Sequence, residues 1–251
     1  MFSSNSEREA AIQTYGWTPV PHDLDLLLKQ HSEAPSGAAA PIISVSSIPL
    51  PPSELAKKVH EYAKKELPVE TYNHCLRVYY FGQAILQHVF PSWKTDTFDE
   101  MYFLTCLLHD IGTTDKNITS TLMSFEFAGA LLSHTLLTSL SSPPPQTENI
   151  TESIIRHQDI GTEGTQTRIS ALTQLATIYD NMGLREELVA RGTIEEVVGK
   201  WPRRGWSGCF ARTLRRENGL KGWSNSRRLG ENAFPEGVEN NKLMAPYDAA
   251  T

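Results

Sequence analysis

His109 and Asp110, adjacent at the end of an apolar run, are the first place where this chain offers chemistry. The run holds Met101, Phe103, Leu104, Cys106, Leu107 and Leu108, and has the character of a buried helix. Gly112 follows, and glycine is the residue most able to take the left-handed conformation that closes a helix. An imidazole nitrogen and a carboxylate oxygen side by side at a rigid helix end suit a borderline divalent cation such as Zn²⁺, Fe²⁺ or Mn²⁺. A lone His-Asp pair often bonds only to itself, so the chemistry requires further ligands. His74 is one: with Val78, Phe81 and Ile85 it falls on one stripe of an expected helix, facing the core. Asp180 is another, because it interrupts the apolar helix end Leu175-Ala176-Thr177-Ile178-Tyr179, where a carboxylate needs a partner or a metal. Two neutral imidazoles and two carboxylates balance one divalent ion and leave positions for water and substrate. The same four residues also fit polar core positions of a helical bundle.

The elements that must hold these residues read as helical. Ser53 is the expected N-cap of a helix to about Glu66, stopped by Pro68. The His74 helix follows over about 69–88, and the helix ending at His109 starts near Thr97 or Asp99. Residues 113–121 read as a polar loop. Ser124 caps the next helix, which runs to about Leu140, and Ser141-Ser142-Pro143-Pro144-Pro145 breaks the pattern. Helices over about 147–157 and 167–181 follow, with weaker ones around 193–200 and 206–217, and the tail after Gly222 is polar and irregular. No segment sustains period-two alternation and no internal repeat is visible, so the fold class is all-α. The expected layout is an irregular N-terminal arm over residues 1–50, a metal-binding helical core over 51–190, and a C-terminal extension over 191–251 packed on that core. In the arm, Tyr15-Gly16-Trp17 docks an aromatic on the body and a short helix spans about Asp23–Gln30. His22-Asp23 there is a second His-Asp pair, but it follows Pro21 at a helix start, where aspartate caps.

Composition narrows the function classes. The 251 residues are 39% hydrophobic and 21% charged, enough to bury a core in one domain with extensions. A net charge of −6 argues against nucleic acid as the main partner, and no stretch approaches the ~20 apolar residues of a membrane span. The N-terminus lacks the basic-then-apolar order of a signal peptide. Cys75, Cys106 and Cys209 are odd in number, widely spaced and without a CxxC. Together these features predict a cytoplasmic protein with reduced thiols, in which Cys75 and Cys106 are small core residues rather than nucleophiles.

The order His74, His109-Asp110, Asp180, with gaps of 35 and 70 residues, resembles the HD superfamily of metal-dependent enzymes. Further segments resemble the fungal cyanamide hydratase family within it. These are Glu70-Thr71-Tyr72-Asn73-His74-Cys75-Leu76-Arg77-Val78-Tyr79, the run Leu104 to Thr113, Thr119-Ser120-Thr121, and Met123-Ser124-Phe125-Glu126. Ile154-Ile155-Arg156-His157-Gln158-Asp159-Ile160-Gly161, Gln174 to Asn181, and Pro202-Arg203-Arg204-Gly205-Trp206 complete the set. The similarity covers roughly residues 50–225 and departs from the family at Lys221-Gly222-Trp223-Ser224-Asn225-Ser226-Arg227. It implies metal ligands His74, His109, Asp110 and Asp180, with zinc as cofactor and iron or manganese as alternatives. It also implies catalytic roles for His157 and Asp110, a small neutral substrate, and a homo-oligomer.

The implied reaction is hydration of cyanamide to urea. It needs a nucleophilic water at neutral pH and a proton for the nitrile nitrogen, and His157, near a helix end, is the expected shuttle. Thr113, Thr119, Phe125 and Glu126 are expected to line the pocket, with Tyr179 and Asn181 flanking a ligand. His60, His88 and His134 read as structural or exposed. Related nitriles or isocyanides are alternative substrates. Two rival readings are a phosphohydrolase, with Arg77 holding a phosphate and few other basic residues near, and a metal-stabilised binding module without turnover.

Overall fold

A computed structural model describes residues 4–248, and among them the fold is all-α apart from one pair of three-residue strands. The chain opens with α1 (Asn5–Thr14), β1 (Pro19–Pro21) and α2 (Leu24–His31). Helix α1 buries no residue, so it leaves no apolar period in the sequence. Asp23 caps α2, accepting from the Asp25 and Leu26 amides at 2.8 and 2.9 Å. The arm is tied down beyond that: Trp17 Nε1 donates to the Pro145 carbonyl at 3.0 Å, and Leu24 and Leu27 join the main core.

The next helices are α3 (Glu54–Glu66), α4 (Val69–Val89) and α5 (Asp96–Leu108). Ser53 caps α3 through the Ala56 amide at 3.0 Å, and Lys64 and Lys65 sit in its last turn, where cations suit the helix dipole. Helix α4 is the spine. It is buried without a break from Asn73 to Leu86, as expected of a helix surrounded by others: α5, α9, α10 and α11 all pack on it.

After α5 the chain makes a 3₁₀ turn at Ile111–Thr113 and enters α6 (Asp115–Ser120). The sequence expectation of a loop over 113–121 is corrected here. Thr114 caps a short helix through the Asn117 amide, and Ile118 anchors it as its one buried residue. Gly112 is also not left-handed, since it is absent from the positive-φ glycines. What requires glycine is contact: a Cβ at Gly112 would stand 2.1 Å from the Phe125 carbonyl oxygen, and one at Gly129 would meet Gly112 N at 3.0 Å. Helix α7 (Phe125–Ser139) therefore lies backbone-to-backbone against the turn after His109-Asp110.

Helix α8 (Pro144–Arg156) takes Pro144 and Pro145 in its first turn, where the missing amide costs nothing. Strand β2 (Thr165–Thr167) pairs antiparallel with β1, Val20 opposite Gln166, and leads into α9 (Arg168–Met182), which Gly183 ends in the left-handed region at φ 67°. Helices α10 (Arg191–Lys200) and α11 (Trp206–Leu220) follow. The tail is not irregular. Helices α12 (Ala233–Glu239) and α13 (Ala245–Asp248) fold back, and Phe234 and Val238 join Phe125, Trp206, Phe210, Ala211 and Leu214 in a second apolar cluster. No helix is long and apolar enough to cross a membrane.

Candidate metal centre

Helices α4, α5 and α8 converge so that three histidines face one point. His74 lies in the second turn of α4, while His109 and His157 each occupy the residue just past a helix, α5 and α8. Each ring is pinned by its Nδ1. Cys106 O accepts from His109 at 2.8 Å, Ile154 O accepts from His157 at 2.7 Å, and Asp180 Oδ2 accepts from His74 at 2.6 Å. Acceptors at all three Nδ1 atoms fix the tautomers and turn the Nε2 atoms inward.

His74 Nε2 and His109 Nε2 are 3.1 Å apart, and Asp110 Oδ2 lies 3.6 and 3.4 Å from them. Donor atoms held ~2.0–2.2 Å from one tetrahedral ion stand roughly 3.3 Å from each other. His74, His109 and Asp110 thus form a group fit to hold a divalent ion. The polar atoms agree: neither oxygen of Asp110 has a hydrogen-bond partner, nor has His157 Nε2, although all are buried. Unpaired buried acceptors of this kind are costly unless something fills the space between them. His157 Nε2 is 3.7 Å from Asp110 Oδ1, on the far side of that carboxylate from His74.

Electrostatics follow from burial. It pushes His74 and His157 down to about 4, against the pull of Asp180 on the first and with the help of His109 on the second. His109 behaves differently. Burial pushes it down too, but the neighbouring Asp110 carboxylate more than reverses this and raises it. Burial pushes Asp110 up, and His109, His74 and His157 outweigh it, holding the carboxyl below the usual range. A proton on His109 Nε2 and a metal ion therefore compete for one place.

No family model matches the chain. Among curated proteins it is similar to cyanamide hydratases DDI2 and DDI3 of Saccharomyces cerevisiae, at 36% identity over 225 residues with each. That alignment spans 88% of this chain and 94% of each relative. The chain belongs to the cyanamide hydratase family.

The remaining residues expected at the site of a cyanamide hydratase take distinct places. Thr113 Oγ1 donates to the Asp110 carbonyl at 2.7 Å and so steadies the turn behind the centre. Phe125 packs edge-on against His157, ring centres 5.7 Å apart. Glu126 is fully buried; its Oε1 accepts from Asn225 Nδ2 at 3.3 Å, and Oε2 has no partner. Burial, with Glu217 and Asp110 adding to it, pushes this carboxyl up to about 8. Asn181 accepts from Trp206 Nε1 at 2.7 Å, and the Trp206 ring stacks on His74 at 4.3 Å. Tyr179 turns its ring onto Phe81, and Thr119 is exposed and bonds back to Asp115 O. Asp180 stands behind His74, outside the tight group, with Arg77 and Arg203 on it.

Arg77 was the phosphate anchor of the rival reading. Its guanidinium is instead spent on Asp180 and on the Trp201 and Pro202 carbonyls. Trp206, Arg203 and Asn225 are the neighbours the sequence did not single out for this site. Two of them lay in a segment already quoted, Pro202 to Trp206, and nothing local marks which of its residues turn inward.

Proposed function

We propose that the protein hydrates cyanamide to urea at a divalent metal ion held by His74, His109 and Asp110. The observation that carries this is the enclosed set of inward Nε2 atoms around a carboxylate with no hydrogen-bond partner, in a chain of the cyanamide hydratase family. Nitrogen and oxygen donors at these separations suit Zn²⁺, with Fe²⁺ or Mn²⁺ able to take the same set. Bound there, such an ion supplies a Lewis acid that makes water nucleophilic near neutral pH.

The protein's own groups supply the rest. Water adds its oxygen to the nitrile carbon of cyanamide and loses a proton, and the nitrile nitrogen gains one; the isourea formed tautomerises to urea. His157 is placed to carry that proton. Its Nδ1 is tied to Ile154 O, so Nε2 is the free acceptor, and Phe125 fixes the plane of the ring. Glu126 presents an unpaired buried oxygen, and a carboxyl pushed up to about 8 is a hydrogen-bond donor at neutral pH. Trp206 and Phe210, stacked beside His74, exclude bulk water. A neutral linear substrate asks nothing more of the site. A phosphate ester would require free cations, and Arg77 and Arg203 are both committed to Asp180.

The test is to incubate the metal-loaded protein with cyanamide and, separately, with nucleoside monophosphates. Urea should form from the first, and a chelator should stop it. Phosphate release outpacing urea formation would overturn the assignment.

A further inference from the structure

Asp110 and Asp180 flank the same ring, yet their oxygens are treated in opposite ways. Asp180 Oδ2 accepts from His74 Nδ1 at 2.6 Å and from Arg77 Nη2 at 2.9 Å, and Oδ1 accepts from Arg77 Nε at 3.0 Å and Arg203 Nη1 at 2.6 Å. A carboxylate has about four lone-pair sites, so these donors leave none for a cation. Two fully buried guanidinium groups occupy the space that a cation would need. The main chain of Asp180 is held as well: its carbonyl accepts from Arg203 Nη1 and from Asn241 Nδ2, both at 3.0 Å. Arg203 in turn reaches Asp248 in α13, Nε to Oδ1 at 2.9 Å.

We propose that Asp180 is a positioning residue that acts through His74, rather than a metal ligand, and that the C-terminal tail belongs to the same device through Asn241 and Asp248. The carboxylate keeps the proton of His74 on Nδ1, raises the basicity of the ring, and aims Nε2 at the centre. The arginines keep the carboxylate from approaching the centre itself, and the tail keeps Arg203 in line. The inference rests on the metal reading above, and it adds which carboxylate serves the ion and which serves the ligand.

The experiment measures Zn²⁺ per chain and, by chelator competition, its dissociation constant in the full-length wild type, Asp180→Asn, Asp110→Asn and Asp248→Asn. Asp180→Asn should still take up one ion, with affinity weakened roughly 10–100-fold; Asp110→Asn should take up none, and Asp248→Asn should weaken binding a few-fold. Loss of the ion from Asp180→Asn as complete as from Asp110→Asn, with the helical circular dichroism kept, would overturn the proposal. If Asp180→Asn does not fold, a structure of the Zn²⁺-loaded wild type decides. An Asp180 oxygen at coordination length, ~2.0–2.2 Å, overturns the proposal, and one beyond ~3.5 Å with the His74 contact intact supports it. Failure of the wild type to take up any ion would remove the metal reading instead. The ¹⁵N shifts of His74 would then judge the positioning role: one Nδ1–H tautomer in the wild type supports it, and a mixture overturns it.

Discussion

Two layers meet at His74 and differ in how they treat polar atoms. In the inner layer, Asp110 Oδ1 and Oδ2 and His157 Nε2 are buried without hydrogen-bond partners, and Glu126 Oε2 joins them nearby. In the outer layer, Asp180, Arg77, Arg203 and Asn241 are equally buried, and their charges and amides are paired with one another. The difference separates two kinds of requirement. Groups left unpaired inside a protein cost free energy and persist where their partner comes from outside the chain. Groups that satisfy each other belong to the fold and give the inner layer its rigidity.

The sharpest way to break this comparison is to remove one carboxylate from each layer. Asp110→Ala should abolish turnover and metal uptake while costing less stability than Asp180→Ala. The latter strands two buried guanidinium groups, at ~3–5 kcal/mol for breaking a buried pair. Urea formation, metal content and denaturant midpoints would show it, and equal stability losses would erase the distinction between layers. Next in size, His157→Ala should keep the fold and the metal and lower kcat by roughly 10²–10⁴-fold, the usual weight of a general acid–base group. If the metal were lost with it, His157 would belong among the ligands.

A smaller effect concerns pH. Glu126 sits at about 8 in the folded protein, above its ordinary value of 4.5, so between those values the folded state holds a proton that the unfolded state has released. Stability from this group is full below about 4.5 and is lost as pH rises through 8. Glu126→Gln should remove that loss, which appears as a flatter melting midpoint across the window, and an unchanged slope would count against the buried acid. Smallest is Asn225→Ala. It deletes one side-chain bond, the 3.3 Å contact to Glu126, and should cost about 1 kcal/mol in chemical denaturation with the metal still bound.

The inner layer was largely legible in the sequence because its residues interrupt strong local signals. His109-Asp110 end an apolar run, and His74 shares a stripe with Val78, Phe81 and Ile85, all of which are buried. Much of the outer layer was not. Arg77 meets Asp180 across 103 positions, and Asn225 meets Glu126 across 99, contacts that no window of a dozen residues contains. The tail helices were missed for a related reason: α12 has seven residues and α13 four, too short to establish a period. Gly112 was read correctly as demanding glycine and for the wrong cause, since the demand comes from α7, not from its own dihedral angle. Ser124 sits at the start of α7 as expected, but its hydroxyl accepts from the Asn225 amide, while Glu217 Oε1 takes the Phe125 amide at 2.7 Å.

The order in which these parts occur along the chain has a consequence during synthesis. His74, His109, Asp110 and His157 leave the ribosome before Arg203, Trp206, Asn225 and Asn241, the residues that close over them. At ~5–20 residues per second the interval between His157 and Asn241 is on the order of ten seconds. A nascent chain therefore displays its inner histidines to the surrounding solution before the lid of aromatic and basic residues exists. Ribosome-bound chains stalled before Arg203 should exchange zinc freely, and released full-length protein should exchange it slowly.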